Sequence, residues 1–416
     1  MSALILAAPS LAAQGGPASP ARTAADRRVT ADIQYLAADA REGRGVGTAG
    51  LDSAAAYVAR AFQRAGLNPG GTAGYFQPFT IDSTAPAAAH SGLGSAKVKN
   101  VIGILPGSGR LAGQVLVVGA HYDHLGLGGF GSLDPDSTGK VHNGADDNAS
   151  GTVGLIEIAR RLSEKRGDRR TVLCIAFTAE ELGDIGSDYY VKHPVRPIDS
   201  TYAMLNLDMV GRLRNDRLLV LGVASAKELG ALVDSLARGT GLTIAASGDG
   251  WGPSDHASFY AAHLPVLHFF TDTHEDYHRT TDDADKVNDD GIVRVSWYAA
   301  DIAWTLATRA TPLTFVDAPK PAPMAGGYGA YLGSIPDMSS SPGGVRLTGV
   351  RAGSPAEKAG IKAGDIITRI GDHVVGDLYQ MTDALRAYQP GETAIVVVTR
   401  DGQPVSMSVT FGKRDG

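Results

Sequence analysis

Cysteine is almost absent. Cys174 stands alone in 416 residues, so an intrachain disulfide and a thiolate-rich zinc module are both excluded. Any metal must be held by His, Asp and Glu. Positive charge is not in surplus either: 38 Lys and Arg face 44 Asp and Glu, a net −6, with no basic cluster in any segment. A nucleic-acid partner is therefore not expected. Past the first residues no apolar run approaches the roughly 18 residues that span a bilayer. The sequence has no G-x-S-x-G elbow, which removes the serine-hydrolase reading. Glycine, by contrast, is plentiful at 53 residues. It follows no three-residue period, so collagen is out and a chain of many tight turns remains. With 43% hydrophobic and 20% charged residues the chain is a packed globular protein, long enough for two or three domains.

Residues 1–25 read as a leader. Leu4 to Gln14 has the apolar core and small-residue end of a signal peptide, though no Lys or Arg precedes it, and this points to a periplasmic or secreted protein. From 26 to 310, β-branched runs alternate with helical patterns. Val98–Leu105, Gln114–Gly119, Thr171–Phe177, Ala203–Val210, Leu218–Gly222 and Val266–Phe270 read as strands. Gly151–Glu164, Ser225–Gly239 and Asp290–Ala307 read as helices, the last with an apolar stripe of Ile292, Val295, Ala299, Ile302 and Leu306. This alternation predicts an α/β fold: a mixed, largely parallel sheet flanked by helices. Residues 311–324, with Pro312, Pro319, Pro321 and Pro323, read as a linker. Residues 325–416 carry four strand-like runs and one helix candidate, Leu378–Tyr388, and predict a small β-rich second domain.

The polar motifs of the first domain follow its strands. His121-Tyr122-Asp123-His124 ends the Val115 run, Thr178-Ala179-Glu180-Glu181 ends the Thr171 run, and Asp208 ends the Ala203 run. Asn143 to Gly151 is a polar loop opening a helix, and contains Asp146 and Asp147. In open α/β sheets ligands bind outside the carboxyl ends of the strands. So many carboxylates on one rim would repel and raise each other's pKa. A pair of divalent cations removes that cost, and imidazole with carboxylate suits zinc, with manganese or cobalt as substitutes.

The motifs Gly-Ala-His121-Tyr-Asp123-His, Gly-Ala-Asp146-Asp-Asn-Ala-Ser-Gly, Ala-Glu180-Glu181, Asn-Leu-Asp208 and Tyr-His278-Arg-Thr-Thr-Asp, in that order, resemble the M28-type dizinc metallopeptidases, the aminopeptidase family. The resemblance implies two zinc ions per chain. It makes Asp146 the bridging carboxylate, with His121 and Asp208 at one ion and Glu181 and His278 at the other. Glu180 becomes the general base acting on a metal-bridging water, and Asp123 orients the His121 ring from behind. A cis peptide is implied after the bridging aspartate, at Asp146–Asp147. Ser254-Asp255-His256 resembles a further family segment near the metal rim. Trp251, or a backbone group, stands where relatives place a tyrosine for the oxyanion.

Gly126 to Gly131 matches G-x-G-x-x-G, but the Ser132-Leu133-Asp134-Pro135 that follows cannot open the helix a dinucleotide site needs, so a loop rimming the site is expected. Cys174, mid-strand, reads as a buried inert thiol. His124, His142, His263, His268 and His274 carry no assigned role. In the second domain, Ala330-Tyr331-Leu332-Gly333 and Gly353-Ser354-Pro355-Ala356 through Asp365-Ile366-Ile367 resemble a PDZ domain of the bacterial protease-associated kind. That implies a peptide C-terminus held by the Tyr331, Leu332 and Gly333 loop, in a groove lined by Leu378, Met381 and Leu385. The sequence thus predicts a zinc-dependent exopeptidase, an aminopeptidase acting on peptides. The alternatives are a glutaminyl cyclase or carboxypeptidase on the same fold, or a non-catalytic PDZ scaffold.

Overall fold

A computed structural model describes residues 20–134, 137–319, 330–337, 343–376, 380–381, 384–385 and 387–413. The first domain places strands β1 (Asn68–Pro69), β2 (Phe76–Thr80), β3 (Lys97–Leu105), β4 (Val115–His121), β5 (Thr171–Phe177), β6 (Thr201–Leu207), β7 (Arg217–Leu221), β8 (Thr243–Ser247) and β9 (Val266–Phe270) in one sheet. Their order is β1-β3-β5-β4-β6-β9-β7-β8, with β2 on β3. The central four, β5, β4, β6 and β9, are mutually parallel. The β3 flank and the β7–β8 flank run antiparallel to them.

β4 and β5 are buried at every position, as continuous apolar runs require, because helices cover both faces. One face packs Leu116, Val118, Val172 and Cys174 against helices α1 (Pro20–Leu36), α2 (Ala49–Arg64), α4 (Gly151–Glu164), α6 (Leu229–Ala237) and α8 (Asp289–Thr308). The other packs Val117, Leu173, Ile175 and Phe177 against α5 (Ile185–Lys192) and α7 (His256–Ala261); α3 (Pro86–Ser91) lies outside both layers. The stripe read on α8 is buried throughout, and Asn288 caps its start by accepting from Gly291 N at 2.9 Å. Burial pushes the Cys174 thiol up to about 12, which makes it inert.

Both domain boundaries shift. Residues 20–25 belong to α1 rather than to a leader, with Ala25 in the core; residues 1–19, where the signal-peptide reading falls, lie outside the described residues. Residues 311–318 are packed rather than free. Phe315 pairs with Ala226, Tyr260 Oη donates to Val316 O at 2.9 Å, and Trp251 Nε1 donates to Ala318 O at 3.1 Å.

The second domain is an antiparallel sheet of β10 (Ser334–Pro336), β11 (Val345–Val350), β12 (Ile366–Ile370), β13 (His373–Val374), β14 (Thr393–Arg400) and β15 (Gln403–Thr410), with a short helix α9 (Pro355–Lys358). Leu332, Leu347, Ile367, Val396, Val398 and Phe411 form its core. At its edge Arg400 grips buried Asp365 with two hydrogen bonds of 2.7 Å. Burial pushes the Asp365 carboxyl up, but Arg400 and the Lys362 amide outweigh it and hold it below the ordinary range. A depressed folded pKa gives stability that is present above the unfolded value, near 3.9, and lost as pH falls through the folded one. Arg400→Ala should therefore lower second-domain stability by about 1–3 kcal/mol at pH 7, the range for removing one partner of a buried group that keeps its Lys362 amide, and by much less at pH 2. Urea melts at the two pH values check this.

Candidate metal centre

The rim is held by a buried cation. Arg44 is fully buried and donates to the carbonyls of Leu36, Tyr122, Asn143 and Gly144 at 2.7–2.9 Å. It thus ties the end of β4 to the loop before α4. Gly43 precedes it with φ +55°, and a Cβ there would sit 2.3 Å from His142 O, so only glycine lets the turn insert. Arg44→Met takes a donor from four buried carbonyls, of which Gly144 O keeps the Ala149 amide at 3.1 Å. At about 1 kcal/mol or more each, a loss of several kcal/mol in thermal or urea unfolding is expected.

The Asn143–Gly151 loop is fixed from every side. Asp282 Oδ2 accepts from the Asp146 and Asp147 amides at 2.9 and 3.0 Å, and Arg212 holds Asp282 Oδ1 at 3.1 Å. Asn148 donates to Leu207 O at 3.0 Å and accepts from Gly151 N at 2.8 Å. Gly144, at φ +55°, lies against the His124 ring and Asp147 O, where a Cβ would overlap both.

Inside this frame Asp147, not Asp146, stands between the two halves of the cluster. Asp147 Oδ1 lies 3.5 Å from His121 Nε2, and its Oδ2 lies 3.1 Å from His278 Nε2. Asp146 turns away: its Oδ1 accepts from Gly211 N at 2.6 Å and Ser150 Oγ at 2.9 Å, and its Oδ2 faces His274 Nε2 at 3.1 Å. The expectation for Asp146 is corrected by one residue, because its carboxylate is consumed in bracing the loop. The cis peptide moves with it, to Asp147–Asn148.

The other expected residues converge. His121 Nε2 is 3.2 Å from Asp208 Oδ1, and His278 Nε2 is 3.2 Å from Glu181 Oε2. His278 Nδ1 is 2.8 Å from Gly131 O, in the glycine-rich loop expected to rim the site, and this bond turns Nε2 toward the carboxylates. Ser254 Oγ donates to Asp208 Oδ2 at 2.9 Å. Asp123 meets His121 Nδ1 through its backbone carbonyl oxygen, at 3.2 Å, rather than by a carboxylate hydrogen bond. Its carboxylate lies 3.8 Å from His121 Nδ1 and accepts the Glu180 and Glu181 amides at 3.2 and 3.4 Å, so it sets the turn that carries both glutamates. Trp251 is spent on Ala318 and is no candidate for the oxyanion.

Donor chemistry and spacing fit divalent cations. Zinc bonds of about 2.0–2.2 Å at tetrahedral angles put neighbouring donor atoms roughly 3.3–3.6 Å apart. The His121–Asp208 and His121–Asp147 separations of 3.2 and 3.5 Å match one such shell. His124, Asp147 and Glu181 bring a second set of donor atoms together, and His278 Nε2 stands 3.1 Å from Asp147 and 3.2 Å from Glu181 beside it. The charges agree. Burial alone would lower His121 and His278, yet Glu180 and Asp208 raise the first well above its ordinary value, and Glu181 and Asp147 raise the second. Burial likewise raises Glu180, with Asp184 and Asp208 adding and His121 opposing. For Glu181 burial also pushes up, but His278 and His124 prevail and hold it low. The two adjacent glutamates are thus driven apart, one basic and one a firm anion.

Three histidines without an assigned role belong to the site. His124 Nδ1 is 2.7 Å from Glu181 Oε1, His268 bonds Asn206 beside Asp208 and lines the cavity, and His274 faces Asp146. Only His124 had a signal in the sequence, its place at the end of β4. In the second domain Leu332 and Met381 are in the core rather than on an open groove, Leu385 packs partly buried against them, and Tyr331 pairs with Gly412. Gly333 has φ +78°, and Leu378 lies outside the described residues.

Residues 100–303 match the profile of peptidase family M28, and residues 330–411 match that of the PDZ domain. The aminopeptidase YwaD of Bacillus subtilis is 37% identical over 114 residues, 27% of this chain and 22% of that protein. The serine protease Do-like HtrA of Lactococcus lactis is 40% identical over 75 residues, 18% of this chain and 18% of that protein. The matches thus span about a fifth of these curated relatives. A Zn-dependent exopeptidase from Parabacteroides distasonis shares the fold with a TM-score of 0.55 at 20% identity, covering 69% of this chain and 98% of that one.

Proposed function

For a chain whose first domain belongs to peptidase family M28 and whose second is a PDZ domain, we propose a dizinc aminopeptidase that releases N-terminal residues from peptides outside the cytoplasm. The observation that carries this reading is Asp147, with one carboxylate oxygen toward His121 and the other toward His278. His121, Asp147 and Asp208 would hold one ion, and Asp147, Glu181 and His278 the other. Zinc, when bound there, supplies a Lewis acid for the scissile carbonyl and acidifies the attacking water.

The chain supplies the rest. Glu180, on the turn that Asp123 fixes beside His121, takes the water proton and returns it to the leaving amine. Asp123 fixes the backbone of Glu180 and Glu181, so that one points to the ions and the other stays free to carry a proton. Ser254 holds Asp208 in place. Zinc-loaded protein assayed against free-amine and N-blocked peptides tests the reading. Cleavage of the free-amine set alone supports an aminopeptidase, and cleavage of both sets with release of the C-terminal residue points to the carboxypeptidase alternative.

The PDZ domain is proposed to bind peptide C-termini and so raise the local concentration of longer substrates. Amidating the C-terminus of a long apolar-ended peptide should then raise KM severalfold and leave kcat unchanged. A KM equal for acid and amide removes that role. Among the described residues no helix is long and apolar enough to cross a membrane.

A further inference from the structure

The cavity at the carboxylate cluster, ≈ 320 Å³, is not built by the first domain alone. Asp147, Glu180, Glu181, Asp208 and His278 line it together with Ser334, Ile335, Pro336 and Arg351 of the second domain. The two domains are pinned at this point. Thr273 Oγ1 donates to Pro336 O at 3.4 Å, and Arg217 lies 3.1 Å from Asp272 and 3.7 Å from Asp337. β10 is an edge strand, paired to β11 on one side only. Gly333 O and Asp337 N bond toward β11, so by the two-residue period the backbone groups of Ser334 and Pro336 turn to the other edge, where Thr273 meets Pro336.

Beside the cluster the cavity is apolar. Met209 and Phe270 are buried, with Leu221 and Tyr277 packed against them. Met209 follows Asp208 and Tyr277 precedes His278 in the chain, so this cup adjoins both halves of the candidate metal centre. Half-buried Ile335 and Pro336 line the same cavity. A volume of ≈ 320 Å³ is at the small end of ligand sites, which run from about 300 to 1,000 Å³.

We propose that Ile335 and Pro336 cap this apolar cup, so that the second domain sets the size of the N-terminal side chain the enzyme accepts. The occupant is an apolar side chain whose length the cap limits. A cup closed by a separate domain can change its depth without disturbing the ligand shell, which is carried wholly by the first domain. The inference rests on the hydrolase reading, which defines the substrate, but its test is separable from it.

In the full-length zinc-loaded protein, Ile335→Ala should raise the ratio of kcat/KM for phenylalanyl over alanyl amides at least tenfold. That is the low end of what one missing side-chain contact in an apolar pocket is worth. Arg217→Ala, which loosens the pin without touching the cup, should move the ratio the same way. It serves as well where Ile335→Ala disturbs the second domain. Calorimetry with free phenylalanine and free alanine gives a readout that needs no turnover, and the affinity ratio should shift in parallel. Ratios within twofold of wild type for both variants, in both measurements, overturn the cap. A wild type that cleaves no aminoacyl amide would instead contradict the hydrolase reading, and the calorimetric ratio would still decide the cap.

Discussion

Glu180→Gln should lower turnover on any aminoacyl amide by at least about a hundredfold, the low end for losing a general acid–base group, with zinc content and KM nearly unchanged. The amide is isosteric but cannot accept the proton. Glu180 differs from Glu181 in its surroundings: burial, with Asp184 and Asp208 adding, raises Glu180 against the pull of His121, whereas His278 and His124 overcome burial and hold Glu181 low. The same change at Glu181 should therefore act first on metal content. Activity within threefold of wild type for Glu180→Gln would remove it from the proton-transfer role.

Asp147→Ala should have the larger effect on the metals. Residues that only brace a ligand cost about 10–100-fold in metal affinity when removed. A carboxylate facing both imidazole halves at 3.5 and 3.1 Å should cost more than that at both ions. Asp146→Asn is the informative contrast. Asp146 braces Gly211 and Ser150 away from the cluster, so its loss should lower the melting temperature by a few degrees and leave both ions bound. Dialysis against graded chelator, read by metal analysis, separates the two. Equal metal loss in both variants would mean that the loop moves as one unit and the assignment between the two aspartates is unfounded.

Much of this site is legible in the chain because the sheet is parallel at its centre. Buried strands read as unbroken apolar runs, and β5, β9 and α4 begin and end where the pattern does. Each run delivers its polar motif to the same edge, so His121, Glu180, Glu181 and Asp208 needed no contact information. His278 came from the motif order. Which of two adjacent aspartates faces inward is not legible: Asp146 and Asp147 differ only in backbone direction, set by Asp282, Arg44 and, through Asn148, Leu207, from three distant segments. β2, with Pro78 inside it, and the exposed β8 lack a buried run to announce them. The packing of 311–318 is not legible because its apolar residues, Leu313, Phe315, Val316 and Ala318, follow no helix or strand period and lie between Pro312 and Pro319.

The central claim is that one carboxylate serves two metal positions. Zinc per chain, measured on wild type and Asp147→Ala after equilibration at a free zinc level that saturates the wild type, tests it most directly. The account predicts two zinc ions per wild-type chain and fewer than one in the variant. One zinc in the wild type, or a variant that loses a single ion and keeps the other at full affinity, would contradict it.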